Sequence, residues 1–156
     1  MNIDSIKEIM DGIDPGALLP DLSTLVGRVE LICRIAVMIG PIILLIMGLS
    51  YLFLSPKEAN HYFGYRCYYG MGSVQAWRFT QRLAGIILGV LGLGLTIAMY
   101  VLSMKFRGME TMAMVTLAAK CLIWQAVLSA LAMGAINLTD FFLFDRRGEV
   151  RYKNKT

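Results

Sequence analysis

The residues with the most distinctive chemistry lie between positions 51 and 82, where aromatic rings and arginines are interleaved. Nine of the 16 aromatic residues fall in this stretch: Tyr51, Phe53, Tyr62, Phe63, Tyr65, Tyr68, Tyr69, Trp77 and Phe79. Arg66, Arg78 and Arg82 lie among them. Amphipathic rings favour the headgroup layer of a membrane, and the planar guanidinium of arginine binds phosphates and carboxylates through paired hydrogen bonds. The combination predicts a segment that is folded into a membrane surface and equipped to bind an anion.

A helix start within the same stretch also suits an anion. Gly70-Met71-Gly72-Ser73 leads into an apolar helical pattern, and Ser73 is the expected N-cap. The free amide groups at a helix N-terminus attract anions, such as a lipid phosphate or a peptide carboxylate, and Arg66 is expected nearby. The alternative is that Arg66 pairs with a carbonyl group or with Glu58, and only attaches the loop to the bilayer.

Catalytic and metal chemistry have little support in the sequence. His61 is the only histidine, and neither an acidic partner for it nor a pair of carboxylates or a nucleophile constellation is evident. Cys33, Cys67 and Cys121 are too few and too scattered for a disulfide framework or a metal site. We therefore predict a non-enzymatic protein without cofactor or metal. Cys67 offers a labelling site for testing which side of the membrane this segment faces.

The elements that must position this segment are three apolar runs. Of the 156 residues, 57% are hydrophobic and only 17% are charged. No charged residue occurs over 20, 22 and 18 residues, respectively, in Ile35–Leu54, Leu83–Met104 and Cys121–Leu138. A helix of about 20 apolar residues crosses a bilayer core, and it satisfies its own backbone hydrogen bonds there. We predict an all-α integral membrane protein with three transmembrane helices and N-terminal amphipathic interfacial helices, which excludes a soluble enzyme.

The remaining residues suggest a division at position 34. Residues 1–34 are predicted to form an amphipathic N-terminal region, with one helix in Asn2–Ile13 and a second stretch, capped by Asp21, that leads into the first span. Residues 35–156 are predicted to form a three-helix membrane domain, with the loop 55–82 and a basic C-terminal tail. Pro41 is expected to kink the first span. The first apolar run starts too late for a signal peptide, so we expect this terminus to be retained.

Small residues and one lysine mark the second and third helices. Gly85, Gly89 and Gly92 recur at intervals that let two helices approach closely in lipid, either within the chain or in a homo-oligomer. A continuous third helix would place Lys120 about 36 Å from the aromatic residues at its far end. We therefore expect Lys120 to reach the opposite interface; the alternative is a buried functional cation.

Lysine and arginine counts predict the orientation. The N-terminal segment and the loop after the second run carry 5 of these residues, whereas the loop 55–82 and the tail carry 9. Because cytoplasmic segments are enriched in lysine and arginine, we expect the N-terminus outside and the loop 55–82 and C-terminus in the cytoplasm. Basic residues that flank apolar runs meet anionic lipid headgroups. The expected partner is therefore the bilayer and not nucleic acid.

The loop 55–82 resembles the signature loop of the SdpI family of small bacterial membrane proteins. Five residues keep the family spacing without gaps: Asn60, Gly64, Arg66, Trp77 and Arg82. Two positions depart from the pattern, because Cys67 stands where threonine is usual and Gln81 where asparagine or histidine is common. Ser73 falls in the variable spacer. The resemblance covers about 28 residues and the placement of the flanking helices.

The resemblance implies a multi-pass protein of the bacterial cytoplasmic membrane. A well-known member gives immunity to a secreted toxic peptide and signals by sequestering a repressor. By analogy, this chain is expected to bind a toxic peptide, a lipid or a membrane-protein partner through Asn60, Gly64, Arg66, Trp77, Gln81 and Arg82. In one mechanism, Trp77 and the tyrosines bury the apolar part of the ligand, while Arg66 and Arg82 hold its anionic part. The alternative is an accessory or structural subunit of a larger membrane complex, in which the loop only determines the fold.

Overall fold

The protein is built from three long α-helices, as the apolar runs predict. The computed structural model describes residues 22–59 and 62–151. Within these ranges the helices are α1 (Leu22–Phe53), α2 (Val74–Met104) and α3 (Thr111–Leu143). Each is long and apolar enough to cross a membrane. The prediction of an all-α protein with three spans is confirmed. The predicted helix in Asn2–Ile13 and the Asp21 cap lie outside the described residues.

Helix α1 joins two predicted segments into one element. It runs without a break through position 34, so the amphipathic stretch before that position and the first apolar run form a single helix. An ion pair one turn apart, between Glu30 and Arg34, supports the helix where the two segments join. Pro41 lies inside the helix and is buried. The boundary at 34 therefore does not coincide with the end of a structural element.

The glycines of α2 pack against α1 of the same chain. Gly89 lies against the backbone of Gly48, and Gly92 lies against the backbone of Leu45. A Cβ atom on Gly85 would lie 2.6 Å from the side chain of Leu52. Small residues thus allow close backbone approach in the way expected for helices in lipid. Of the two alternatives, the structure shows the contact within the chain, where α1 packs against these glycines.

All three helices contribute to two buried clusters. One cluster lies around the loop between α2 and α3 and contains Cys33, Val37, Phe106, Met114, Ala118 and Cys121. The other extends toward the loop 55–82 and contains Leu44, Tyr51, Ala84, Leu88, Leu95 and Ile136. Gln125 crosses between helices and donates a hydrogen bond from Nε2 to Val37 O at 3.0 Å. The side chain of Lys120 is exposed on α3, so it is not enclosed between the three helices.

The segment after α3 folds back onto the loop 55–82. Phe144 and Val150 form an isolated antiparallel bridge, and the turn between them brings Gly148 against the start of α2. Ser73 Oγ donates to Gly148 O at 2.7 Å. Arg151 Nε donates to Phe144 O at 2.9 Å. At least to position 151, the predicted basic tail is therefore a folded turn that closes over one side of the loop.

The glycine packing predicts different effects for two neighbouring substitutions in α2. Gly92→Ala would force its Cβ to within 2.8 Å of Leu45 Cα, and such overpacking costs about 1–3 kcal/mol. Gly94 has open space around it, and alanine is the better helix former by roughly 0.5–1 kcal/mol. We expect Gly92→Ala to lower the thermal unfolding midpoint of the purified protein in detergent and Gly94→Ala to leave it unchanged or raise it. Equal midpoints for the two variants would contradict the α1–α2 contact.

Candidate functional site

The loop 55–82 lies at the end of the bundle where α1 ends and α2 begins. Ser73 is the N-cap of α2, as expected from the sequence, and its Oγ accepts a hydrogen bond from Ala76 N at 3.1 Å. Gly64, Arg66, Trp77, Gln81 and Arg82 are all described, whereas Asn60 lies outside the described residues.

Gln81 fixes the middle of the loop to α2. Its side chain is 1% exposed and bonds to both backbone groups of Tyr65. Gln81 Nε2 donates to Tyr65 O at 2.7 Å, and Gln81 Oε1 accepts from Tyr65 N at 2.8 Å. The primary amide thus bonds to the N–H and the C=O of one loop residue, as the backbone of a neighbouring β-strand does. One N–H group and one oxygen lone pair of the amide are used in holding the loop.

Trp77 fixes two further points of the loop. Its indole Nε1 donates to Pro56 O at 2.9 Å, and its ring lies against Gly64. Gly64 has a positive φ of 119°, and a Cβ atom there would lie 2.7 Å from the ring, so a side chain is excluded on both counts. Trp77 is 0% exposed. Its ring is therefore enclosed within the protein, where it packs against the loop.

A buried carboxylate joins the loop to α2 and α3. Asp140 is 0% exposed, and its Oδ2 accepts from Thr80 Oγ1 at 2.9 Å and from Cys67 Sγ at 2.8 Å. Its Oδ1 is buried and has no hydrogen-bond partner among the described residues. No motif in the sequence includes Asp140. Asp140 could have been found as an acidic residue in the last turns of an apolar helix. Ionisable residues are rare in membrane spans, and those that occur there usually have a function.

Cys67 acts as a hydrogen-bonding residue in place of the usual threonine. Its thiol donates to Asp140 Oδ2 and accepts from Gly70 N at 3.1 Å, two interactions that a hydroxyl would also make. Burial, followed by the hydrogen bond to Asp140, raises the pKa of Cys67 from 9.0 to about 12. Because the thiolate is the reactive form, the raised pKa predicts slow labelling of Cys67 in the folded protein.

Most of the aromatic residues attach the loop to the helices. Tyr51 makes edge contacts with Phe63 and Tyr65, with ring centroids 6.3 and 6.2 Å apart. Tyr65 also donates from its hydroxyl toward α3, where Asn137 Oδ1 lies 3.2 Å away. Tyr62, in contrast, is 95% exposed. The expected role at the headgroup layer therefore suits the outward rings such as Tyr62, while the inward rings form the packing of the loop.

A cleft with three cationic side chains lies between the end of α1 and the first turns of α2. Its volume is about 410 Å³, and it is lined by Tyr51, Leu52, Ser55, Pro56, Lys57, Arg78, Gln81 and Arg82. We call it the cationic cleft. Arg78 Nε donates to Lys57 O at 3.3 Å, which places the two residues side by side. No acidic side chain is among the described residues that line it.

The cationic cleft changes the set of candidate binding residues. Of the predicted binding residues, Gln81 and Arg82 line it, but Arg66 is not among the lining residues. Lys57 and Arg78 line the cleft instead. Arg78 could have been predicted from the sequence, because it lies one helical turn before Arg82. The side-chain hydroxyl of Ser55 is buried and lacks a hydrogen-bond partner among the described residues. In residues 22–59 and 62–151, no three His, Cys, Asp or Glu side chains are grouped to hold a metal ion.

The contacts of Gln81 predict that its loss loosens the loop. Gln81→Ala would leave the Tyr65 amide and carbonyl without partners, at a cost of about 1–3 kcal/mol. Gln75 is the matched control, because it lies on the same helix and is exposed. We expect Gln81→Ala to lower the thermal unfolding midpoint and to speed protease cleavage in the loop, and Gln75→Ala to change neither. A Gln81→Ala variant as resistant as the wild type would contradict the contact.

The environment of Cys67 predicts slow labelling in the folded protein. Because the folded-state pKa is raised to about 12 from an ordinary value of 9.0, the stability that Cys67 contributes is complete below about pH 9. It is lost as the pH rises from there toward 12. At pH 8, with Cys33 and Cys121 replaced by alanine, we expect maleimide to react much faster after denaturation than before. Equal rates would show that the thiol is not held by Asp140.

Comparison with known proteins agrees with the resemblance of the loop. The sequence profile of the SdpI/YfhL protein family matches residues 57–138, which is 82 of the 156 residues. The matched range contains most of the loop, all of α2 and most of α3, and it ends two residues before Asp140. The comparisons find no match among curated proteins and none among solved structures. Because the match covers more than half of the sequence, the chain belongs to the SdpI/YfhL protein family.

Proposed function

We propose that this protein is a non-enzymatic binding protein of the bacterial cytoplasmic membrane. In this proposal the cationic cleft binds the anionic group of an amphipathic ligand, and binding protects the cell against a membrane-active peptide. The observation that carries the proposal is the grouping of Lys57, Arg78 and Arg82 around one cleft without an acidic neighbour among the described lining residues. Like charges held together without counterions attract an anion.

The motif residues fall into two groups, those that build the loop and one that is exposed at the cleft, and this difference supports the proposal. Gly64, Trp77 and Gln81 are used in building the loop, and the last two are buried. Arg82 belongs to the same motif but is exposed at the cleft. A loop held by several buried hydrogen bonds keeps the position of Lys57 fixed relative to α2, and a preformed site loses less entropy on binding.

We also propose the orientation that the charge counts favour. The N-terminus lies outside, and the loop 55–82 and the C-terminus face the cytoplasm, because 9 lysines and arginines flank that side and 5 the other. In this proposal residues 1–34 supply an amphipathic surface segment, which continues through α1 into the membrane domain of residues 35–156. The cationic cleft then lies at the inner leaflet, where anionic lipid headgroups surround it.

Growth protection tests the proposed function. The chain is expressed in a peptide-sensitive bacterium that is challenged with a panel of antimicrobial peptides. We expect the wild type to raise the inhibitory concentration of at least one peptide and Arg78→Gln/Arg82→Gln to lose that effect. Two charge-assisted hydrogen bonds contribute about 1.5–3 kcal/mol each, so the loss in affinity should exceed roughly tenfold.

The matched control removes two cations elsewhere. Lys105 and Arg107 lie in the loop after α2 and are exposed, so Lys105→Gln/Arg107→Gln should protect like the wild type. Undiminished protection by Arg78→Gln/Arg82→Gln at equal expression would exclude the cleft from the function. If no peptide is resisted and a stoichiometric partner co-purifies in mild detergent, the protein is instead an accessory subunit.

A further inference from the structure

We infer that the cationic cleft is a phospholipid site that holds the phosphate of an anionic lipid headgroup, with an acyl chain lying along α2. The inference rests on the proposed function, because it names the ligand class of the same cleft. It is carried by the depth of the cleft, its charge and hydroxyl groups, and the apolar surface that continues from it.

The cleft lies where two membrane spans end. Helix α1 ends at Phe53 and α2 begins at Val74, and the lining residues come from the last turn of α1, the segment just after it, and the first turns of α2. Phe53 is 80% exposed, which suits an aromatic ring at the interface. The cleft is therefore at the depth of the lipid headgroups, within reach of a phosphate from the surrounding leaflet.

The polar groups of the cleft match a phosphodiester. Two guanidinium groups, from Arg78 and Arg82, offer paired donors for the non-bridging oxygens, and Lys57 adds a third positive charge. Ser55 has a buried hydroxyl without a partner among the described residues, and a buried polar group in that state favours a ligand that supplies one. A cleft of about 410 Å³ falls within the size range of small-ligand sites.

An apolar stripe continues from the arginines down α2. Arg78, Arg82, Ile86 and Val90 recur every four residues and so form one continuous ridge that winds gradually around the helix. Ile86 is 55% exposed and Val90 is 69% exposed. Cations at the headgroup end and exposed aliphatic side chains below them give the pattern of one amphiphile, with its charge above and its chain along the helix. A free inorganic phosphate would use the cations but not the stripe.

Native mass spectrometry of the full chain tests the inference. The purified protein in detergent is mixed with equimolar phosphatidylglycerol and phosphatidylcholine. We expect the wild type and Lys105→Gln/Arg107→Gln to retain phosphatidylglycerol over phosphatidylcholine by about tenfold or more, and Arg78→Gln/Arg82→Gln to lose that preference. Millimolar inorganic phosphate should leave the lipid adduct in place. The thermal midpoint of each variant verifies that it is folded.

Three outcomes would overturn the inference. The first is a wild type without preference for phosphatidylglycerol, and the second is the same preference in Arg78→Gln/Arg82→Gln. The third is displacement of the adduct by inorganic phosphate, which would show a site for a free anion.

The growth assay separates this inference from the proposed function. If Arg78→Gln/Arg82→Gln loses the lipid adduct but still protects, the lipid site is supported and the cleft has no part in immunity. If the same variant loses protection but keeps the adduct, the proposed function is supported and the lipid is rejected as the ligand.

Discussion

The pairing of the Gln81 amide with both backbone groups of Tyr65 is the contact on which the loop depends. The backbone of Tyr65 is partly buried, and backbone groups shielded from water need partners from the protein. The pairing turns an irregular loop into a fixed extension of α2. Once Tyr65 is held there, its ring reaches α3 at Asn137. Trp77, one turn earlier on α2, holds the start of the loop through Pro56.

The rest of the site follows from this attachment. The loop continues from Tyr65 to Cys67, whose thiol meets the buried carboxylate of Asp140 together with Thr80. The loop and α2 therefore both donate to one acceptor on α3. Loss of any of these three side chains leaves a polar group unpaired in a low-dielectric environment, where the cost is high. The motif residues act mainly as determinants of this local fold. The proposed binding surface consists of the charged residues that the fold leaves exposed at the cationic cleft.

Local patterns predicted the features that local physics decides. The three spans follow from uncharged runs of sufficient length, and Ser73 as the N-cap follows from its position before an apolar helix. Trp77 and Gln81 are four residues apart, so the sequence shows that they share a helix face. It does not show whether that face contacts the loop or a ligand. Asp140 bonds to Thr80 and Cys67, which lie 60 and 73 positions earlier in the sequence. The periodicity within one helix cannot predict such distant contacts. The same holds for Lys57 and Arg78, which only the return of the loop brings together.

Hydrogen exchange of the Tyr65 amide in the wild-type protein tests the central claim most directly. If Gln81 holds the loop on α2, this amide exchanges slowly, at a rate comparable to that of Trp77 N, which bonds to Ser73 O in the first turn of α2. Exchange is far slower for amides in stable hydrogen bonds than for open loops. Exchange of Tyr65 at the rate of a solvated loop, with the amides of α2 still protected, would contradict the account.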